Sequence, residues 1–301
     1  MTDRLAPRPV QRVGVIGAGA MGMGVVQSLR RAGFEVHVRD IRVEAQEAAA
    51  RLGAALADSP AALVRACDLA IILVVDAPQI ETVLFAEDGA ASALVSSSVV
   101  VISSTIAPDD VIGFAQRLSA TGASVVDAPV SGGPQRAADG TMTIMAGGPS
   151  EALARCAPVF ARIARRVFEV GALGDGAKFK LVNNLLAAAN LAAGAEAFAI
   201  AREAGLDRRQ VLDVVNASSG ASWIVGDRLP RVLDSDYAPR AAARILAKDI
   251  TLACDWAARL GIATPLADTV RSAFRDAVAD GHGEEDDGAI VKWRAKRNRG
   301  V

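Results

Sequence analysis

The sequence of 301 residues is poor in several side chains that commonly carry enzyme chemistry or bind large partners. It contains two histidines, one tyrosine, three cysteines and five lysines, against 28 arginines. The formal net charge of −1 leaves no basic excess to hold nucleic acid and no charged field to attract a membrane surface. No uninterrupted apolar run reaches the ~18 residues typical of a membrane-spanning helix. These absences predict a small-molecule partner, with neither nucleic acid nor membrane involved.

The three cysteines, Cys67, Cys156 and Cys254, are far apart and form no C-x-x-C or metal-binding spacing. This pattern is typical of reduced cysteines in a cytoplasmic protein, and it predicts no metal site. Residues 1–9 lack the apolar core of a signal peptide, so we expect a frayed arm there. We expect a second disordered, solvated segment at the basic C-terminal residues Lys292, Arg294, Lys296, Arg297 and Arg299.

The scarcity of lysine directs attention to the few that remain. Arginine serves at nearly every other cationic position, but only lysine readily loses its proton. Lys180 and Lys248 are therefore candidates for proton transfer. The histidines are poor candidates for a catalytic base, because His37 falls within a predicted strand and His282 stands between two glycines in a predicted loop.

Half of the residues are apolar, which at this length predicts one large domain or two ordinary ones. Short apolar runs alternate with helical stretches such as 43–56 and 107–120, which predicts a mainly parallel, doubly wound sheet. The predicted strands are 13–16, 34–38, 69–75, 99–102, 124–127, 142–146 and 167–170.

After the strands the chain changes character. Residues 178–204 are rich in alanine and leucine almost all round, which predicts one long helix buried between domains or protomers. Helical patterns continue to the end of the chain. We therefore expect an α/β protein with an N-terminal Rossmann-type domain over 10–175 and an all-α domain over 176–301, joined by the long interdomain helix. Such a helix also favours a homodimer or homotetramer.

A glycine-rich turn follows the first predicted strand. Gly17, Gly19 and Gly22 satisfy G-x-G-x-x-G, and a helix follows. In dinucleotide-binding folds the first glycine permits the tight turn, the second lets the backbone approach a pyrophosphate, and the third lets helix pack on strand. Ala20 and Met21 lie inside the same turn. Two other interpretations remain open, an ordinary α/β turn and a methyltransferase-type site.

The second strand ends in Asp40, 18 residues beyond Gly22. An acid here accepts the two adenosine ribose hydroxyls and repels a 2′-phosphate, so it favours NAD over NADP. Arg39 and Arg42 favour NADP instead, because either arginine can bind a 2′-phosphate. The alternative is that both are solvated side chains of a loop. NADP therefore stays possible.

Polar or flexible segments also follow later strands. Thr105 either contacts the nicotinamide ribose or carboxamide, or caps the next helix. Ser131, Gly132 and Gly133 form a loop that suits a carboxylate, unless it is an ordinary turn. Trp223 ends a small-residue loop and either walls a substrate pocket or lies in the core.

Four motifs in order identify a family resemblance. They are GAGAMGMG followed by LRRAG, DAPVSGG at 127–133, GDGAKFKLVNN at 174–184, and AKDI at 247–250. Together they resemble the β-hydroxyacid dehydrogenases, the group of 3-hydroxyisobutyrate dehydrogenase and tartronate semialdehyde reductase. The segments SSTIA, SGASW and GEEDDGAIVK are similar to the L-threonate dehydrogenase-like branch of that group.

The resemblance implies hydride transfer between NAD and a small hydroxy acid, which is L-threonate-like, 3-hydroxyisobutyrate-like or tartronate semialdehyde/glycerate-like. It implies that Lys180 is the catalytic acid/base, with Asn184 orienting the substrate. It implies that Ser131, Gly132 and Gly133 hold the substrate carboxylate, that Gly17, Gly19, Gly22 and Thr105 contact the cofactor, and that Lys248, supported by Asp249, lies at the junction of cofactor and substrate. The local sequence pattern adds Trp223 as a substrate-binding candidate, and Ala20, Met21, Asp40 and Val75 as cofactor-binding candidates. Many members have Leu-Pro-Asn after the third strand, where this chain has Val74-Val75-Asp76.

A lysine serves as the base only if burial and a neighbouring cation lower its pKa, and Lys248 is a candidate for that cation. Three alternatives are a methyltransferase on a similar sheet, an NAD-binding relative without catalysis, and an imine reductase. The helix that carries Lys180 argues against the first, the presence of both Lys180 and the Ser-Gly-Gly loop argues against the second, and Lys180 argues against the third.

Overall fold

The computed structural model describes residues 10–297, with side chains through Lys296. Nine strands, β1 to β9, occur within these residues: Arg12–Ile16, Glu35–Arg39, Ala55–Leu56, Leu69–Ile72, Val99–Ile102, Ser124–Asp127, Val130–Ser131, Met142–Gly147 and Ala164–Gly171. The helices α1 to α13 are Ala20–Arg31, Val43–Arg51, Pro60–Ala66, Ala77–Phe85, Pro108–Leu118, Gly133–Asp139, Ser150–Ile163, Asp175–Glu203, Arg208–Asn216, Trp223–Leu233, Ala243–Arg259, Pro265–Ala277 and Ala289–Arg297.

The strands form one sheet in the order β3-β2-β1-β4-β5-β6-β8-β7, with β9 beside β8. Pairing is parallel from β3 to β6, and β9 is parallel to β8. β8 runs antiparallel to both β6 and β7. The connection from β7 to β8 through the short α6 is shorter than the dozen or so residues that a parallel crossover requires, so the chain reverses direction there. The predicted α/β fold is confirmed, including its mainly parallel sheet.

Helices cover both faces of the sheet, as alternate residues of β1 demonstrate. Val13 and Val15 pack into a core with α1 on one face. Ile16 belongs to the core on the other face, together with Leu63 of α3. Gly14 points toward this second face, where an added Cβ would lie 2.2 Å from Leu63. β1 is therefore buried on both sides, as expected of a central strand in a doubly wound sheet.

Contacts divide the chain into two compact units, the first ending at Lys180 and the second beginning at Leu181. The first unit holds the sheet. The second is built from the rest of α8 and from α9 to α13, around a core of Leu191, Phe198, Leu246, Phe274, Trp293 and their neighbours.

The long helix predicted over 178–204 is confirmed as α8, which begins three residues earlier. By length and composition α8 passes the test for a membrane-crossing helix, with a mean hydropathy of 1.3 over its most apolar window. No uninterrupted apolar run in α8 reaches ~18 residues, because polar residues such as Asn190 and Glu196 interrupt it. Buried core helices pass the same test, and 44% of that window is buried inside the protein.

The C-terminal residues are ordered further than expected. Residues through Arg297 form α13, where Lys292 pairs with Glu285 and Arg294 pairs with Glu196. The prediction of a disordered tail is therefore wrong up to Arg297, because acidic residues of the second unit bind these cations. Arg299 and the N-terminal arm of residues 1–9 lie outside the described residues.

Candidate active site

The turn between β1 and α1 contains three glycines, which differ in backbone conformation and in the space around them. Gly17 has a φ of +93°, a conformation that side-chain-bearing residues rarely adopt. An added Cβ on Gly22 would lie 1.9 Å from the carbonyl oxygen of Gly17, so helix and turn meet without room for a side chain. Gly19 is the N-cap of α1, and an added Cβ there would make ordinary van der Waals contact with Arg42 Nη2, at 3.9 Å.

This turn fits the phosphates of a dinucleotide. The first N–H groups of a helix have no partner within it, so Ala20, Met21 and Gly22 offer donors at the start of α1. No acidic side chain stands in the first turn of α1 to compete with a phosphate. Because Gly19 has no side chain, an anion can approach the backbone closely there. These residues would hold the pyrophosphate of a bound dinucleotide.

Asp40, just past the end of β2, accepts one hydrogen bond from the glycine turn and several from Arg42. Its Oδ2 accepts from the Ala18 N–H at 2.7 Å, and its Oδ1 accepts from the Arg42 N–H at 2.9 Å. The Arg42 side chain also binds both oxygens, through Nε at 3.1 Å and Nη2 at 3.2 Å. Burial would raise the pKa of Asp40, but the hydrogen bonds from Arg42 and Ala18 outweigh burial and hold that pKa below its usual value.

The turn after β4 is occupied by a helix cap. Asp76 accepts from the Gln79 N–H at 3.0 Å and so caps α4. The Val75 N–H donates to the Gln79 side chain at 3.0 Å. The Val-Val-Asp sequence found here in place of Leu-Pro-Asn thus starts α4, and its Val75 N–H is engaged internally.

Thr105 lies in the loop between β5 and α5 and is half-buried. The cap of α5 is Ala107, whose side chain makes no capping hydrogen bond. Thr105 lies two residues before this cap position. Both alternatives for it, a helix cap and a cofactor contact, stay predictions.

The loop proposed for a carboxylate lies next to the proposed catalytic lysine. Lys180 Nζ donates to the Val130 carbonyl oxygen at 2.8 Å, and the lysine is buried, with 8% of its surface exposed. Ser131 follows Val130 directly. Gly132 and Gly133 come next, with φ of +131° and +75°, values that favour glycine. Within the first unit the structure thus brings the amine and the Ser-Gly-Gly loop together across 50 residues of sequence.

Asp127, at the end of β6, belongs to this group and was not predicted as a site residue. It is fully buried, and its Oδ2 accepts from the Ala177 N–H at 2.8 Å, in the first turn of α8. Burial raises its pKa to about 6. An added Cβ on Gly147 or Gly176 would lie 2.6 or 2.8 Å from the carboxylate oxygens, so these glycines make room for it. Its place directly before the loop, at the end of a buried strand, was the available sequence signal.

A second group lies in the second unit, around Asp249 of α11. The Asn184 side chain donates to Asp249 Oδ2 at 2.6 Å, and Lys248 Nζ donates to Asp249 Oδ1 at 2.7 Å. Asn184 also accepts from Asn183 at 2.9 Å. Asp249 and Asn184 are buried, with 4% and 7% exposed. The carboxylate of Asp249 therefore fixes the orientation of both the amide and the ammonium group.

Trp223 begins α10, directly after Ser222, whose hydroxyl accepts from the Val225 N–H. It is 47% exposed, and the guanidinium carbon of Arg228 lies 6.0 Å from the centre of its ring. The alternative that placed this tryptophan in the core is wrong. Its assignment to substrate binding stays a prediction.

The cysteine thiols and the possible metal ligands were also considered as catalytic groups. Burial raises the pKa of the Cys67 and Cys156 thiols to about 12, so neither is a ready thiolate. Within residues 10–297, no cluster of three or more His, Cys, Asp or Glu side chains is placed to hold a metal ion.

Family profiles match almost the whole chain. Residues 12–171 match the NAD binding domain of 6-phosphogluconate dehydrogenase. Residues 174–294 match the profile described as the NAD-binding domain of NADP-dependent 3-hydroxyisobutyrate dehydrogenase.

Individual relatives agree with the profiles. The chain is 43% identical to an L-threonate dehydrogenase of Cupriavidus necator, over 94% of this chain and 95% of the relative. It is 32% identical to a 2-hydroxy-3-oxopropionate reductase of Escherichia coli, over 93% and 96% of the two chains. The crystal structure of a 3-hydroxyisobutyrate dehydrogenase from Salmonella typhimurium superposes with a TM-score of 0.87 at 39% identity, covering 94% of this chain and 99% of the other.

Proposed function

The chain belongs to the β-hydroxyacid dehydrogenase family, and we propose that it oxidises L-threonate, or a close small polyhydroxy acid, with Lys180 as the acid/base. The protein is an NAD(P)-dependent oxidoreductase that acts on the CH–OH group of hydroxy acids. The observation that carries the lysine assignment is the 2.8 Å hydrogen bond from Lys180 Nζ to Val130, which holds the amine beside the Ser131–Gly133 loop.

Each side chain of the first unit has a distinct part in this proposal. Bound NAD(P) supplies the acceptor or donor of the hydride. The loop N–H groups and the Ser131 hydroxyl bind the substrate carboxylate and so fix the distance from that carboxylate to the reacting hydroxyl. Lys180 removes the hydroxyl proton during oxidation and returns it during reduction.

Asn184 and Lys248 complete the proposal from the second unit. Asn184 orients the substrate, and Lys248 contributes a positive charge. Asp249 contacts both and is a positioning residue, since its carboxylate oxygens are taken up by these two side chains. Loss of Asp249 would leave a buried amide without its acceptor, which is costly.

The substrate class rests on the relatives. The 43% identical relative is named for L-threonate, and a 32% identical one is named for 2-hydroxy-3-oxopropionate. Both are small acids with a hydroxyl or carbonyl near a carboxylate. 3-Hydroxyisobutyrate is the third candidate, on the similarity to the Salmonella structure.

We test the proposal with purified protein by measuring coenzyme reduction with L-threonate, D-glycerate, 3-hydroxyisobutyrate and related acids. We expect the highest kcat/KM with L-threonate. Replacing Lys180 with alanine should lower kcat by about 10²- to 10⁴-fold, the usual contribution of general acid–base catalysis, while coenzyme binding survives.

Lys178→Ala is the matched control, because Lys178 lies two residues earlier on α8 and is half-exposed in an ion pair with Asp175. It should leave kcat nearly unchanged. Near-normal turnover by Lys180→Ala would reject the lysine assignment. A different best substrate would leave the mechanism standing and replace L-threonate.

The alternatives have weaker support. The family membership replaces the methyltransferase interpretation. A relative without catalysis would have no need to keep a buried lysine hydrogen-bonded beside an intact Ser-Gly-Gly loop. The same pair of features favours a hydroxy-acid dehydrogenase over an imine reductase-like activity, and assay with a cyclic imine and NADPH separates the two.

We further propose that the protein is a cytoplasmic homodimer or homotetramer. Along α8 an exposed stripe is formed by Phe179, Val182 and Leu186, which lie three and four residues apart and are 55%, 53% and 55% exposed. Contiguous exposed apolar surface of this kind favours association between copies. The cytoplasmic location is supported by three cysteines without disulfides.

A further inference from the structure

The carboxylate expected to receive the adenosine ribose is already covered by an arginine. In the usual arrangement an acid at the end of the second strand accepts the two ribose hydroxyls. Here Asp40 has one oxygen on the Ala18 N–H, and the Arg42 guanidinium spans both oxygens at 3.1 and 3.2 Å. Asp40 is 7% exposed, so little of it remains open to another partner.

The backbone around Asp40 is fixed, whereas the arginine is the movable part. The Asp40 carbonyl accepts from Arg39 at 2.9 Å and from Gln46 at 2.8 Å, and Gly17 N–H donates to the Arg39 carbonyl at 2.9 Å. Asp40 therefore cannot turn away from the glycine turn. The Arg42 side chain is 57% exposed, and its Nη2 lies 3.9 Å from where a Cβ on Gly19 would be.

The positive charge of Arg42 alters how Asp40 acts on the choice between NAD and NADP. A bare carboxylate repels a 2′-phosphate, and this repulsion is the basis of NAD selection. With the guanidinium bound to it, the pair is close to neutral, and the remaining guanidinium N–H groups face solvent beside the turn. Guanidinium groups bind phosphates through paired, charge-assisted hydrogen bonds.

We propose that Arg42 is a specificity-determining residue that lets this protein use NADP as well as NAD. With a 2′-phosphate present, Arg42 stays on Asp40 and binds the phosphate. With NAD, Arg42 swings out and Asp40 accepts the ribose hydroxyls. The inference deepens the coenzyme part of the proposed function and rests on it.

The test measures binding first, by titrating the protein with NADH and with NADPH and following nicotinamide and tryptophan fluorescence. For the unmodified protein we expect both reduced coenzymes to bind, with dissociation constants within about tenfold of each other. Arg42→Ala should weaken NADPH about 10- to 100-fold, the usual value of a charge-assisted contact, and leave NADH binding equal or tighter.

Two further variants sharpen the test. Arg51→Ala removes an exposed arginine from the last turn of the same helix α2 and should change neither dissociation constant. Asp40→Asn keeps the shape but removes the charge, so it should weaken NADH and spare NADPH. The ratio of kcat/KM for the phosphorylated over the unphosphorylated coenzyme should fall in Arg42→Ala and rise in Asp40→Asn, opposite in direction to the ratio of their dissociation constants.

Three outcomes would overturn the inference. Equal weakening of both coenzymes in Arg42→Ala would place Arg42 on the pyrophosphate, which the two share. Unchanged dissociation constants for both coenzymes in Arg42→Ala would show that Arg42 contacts neither of them, and undetectable NADPH binding by the unmodified protein would show that Asp40 alone decides. Because these titrations need no hydroxy acid, failure of the threonate assay leaves the coenzyme result readable.

Discussion

Asp127, at the end of β6 and shortly before the Ser131–Gly133 loop, connects that strand to α8, the helix that carries Lys180. Its hydrogen bond to Ala177 fixes the first turn of α8, three residues before the lysine. A carboxylate at a helix N-terminus is favoured by the helix dipole, but full burial opposes its charge. Its other oxygen, Oδ1, has no hydrogen-bond partner among the described residues. Burial outweighs the hydrogen bonds and raises the pKa of Asp127 from 3.8 to about 6.

The sign of the resulting pH dependence follows from linkage. Because the folded-state pKa of Asp127 is raised from 3.8 to about 6, its protonated form stabilises the fold below about pH 4, and this contribution is lost as pH rises through 6. At pH 7 the loss amounts to at most about 3 kcal/mol, at 1.36 kcal/mol per pKa unit. Asp127→Asn should therefore gain in Tm relative to the unmodified protein as pH rises from 4 to 7.

Thermal unfolding at several pH values checks this expectation. Asp88→Asn, which changes an exposed carboxylate in the same unit, serves as the control and should follow the unmodified protein at every pH. A Tm difference for Asp127→Asn that stays constant from pH 4 to 7 would contradict the assigned titration.

Residue types were more predictable than residue contacts. The rarity of lysine and the family motif indicated Lys180, but its hydrogen bond to Val130 joins positions 50 residues apart, and no local pattern encodes it. For Arg42 the sequence allowed two interpretations, a phosphate contact and a solvated loop side chain. Its paired hydrogen bonds to the two oxygens of Asp40 depend on the geometry of the turn, which no local pattern specifies.

At the scale of elements, the turn between β1 and α1 depends on close packing at Gly22. An added Cβ there would meet the Gly17 carbonyl at 1.9 Å, and this backbone oxygen cannot move without distorting the turn. The strain would fall on the same residues that would hold the pyrophosphate. Stability and coenzyme affinity should therefore fall together.

Gly22→Ala should lower both Tm and the affinity for NADH, measured by thermal unfolding and fluorescence titration. Gly113→Ala is the matched control, because Gly113 lies in helix α5 with no atom within 4 Å of an added Cβ. It should stabilise the protein by roughly 0.5–1 kcal/mol, the usual gain from replacing a helical glycine with alanine. A stabilising Gly22→Ala would show that the turn relaxes without cost.

The central strands were predicted well because both of their faces are buried, so each is a short apolar run. β9 was found from its own apolar residues although most of it is exposed. All seven predicted runs contain strands. The helix predicted over 43–56 ends at Arg51, because residues 55–56 pair with β2 as the edge strand β3. A two-residue strand is too short to show a periodic pattern in the sequence. The direction in which β8 pairs is likewise not recorded in any local pattern of residues.

At the scale of the molecule, the two units and the shared helix α8 follow the change from alternating strands and helices to helices alone. The C-terminal tail is where composition misled. A run of cations predicts a solvated segment, but Glu196 and Glu285 supply its partners from positions far away in sequence.

Assembly is the expectation that belongs to this scale. Leu186→Glu places a charge in the exposed stripe of α8 and should convert the assembly to smaller species, measured by size-exclusion chromatography with light scattering. Leu266→Glu changes an equally apolar side chain, 70% exposed on α12 and outside the stripe, and should leave the mass unchanged. A monomeric unmodified protein, or an assembly indifferent to Leu186→Glu, would refute the proposed interface.

The order of strands along the chain has a consequence for biosynthesis. Within the described residues, every strand of the sheet precedes α8, and the last one ends at Gly171. A ribosome therefore releases all strands of the sheet before it has made the second unit. N-terminal domains generally fold first during synthesis. The sheet can then mature vectorially, so that its apolar strands are shielded from aggregation while the rest of the polypeptide is still being translated.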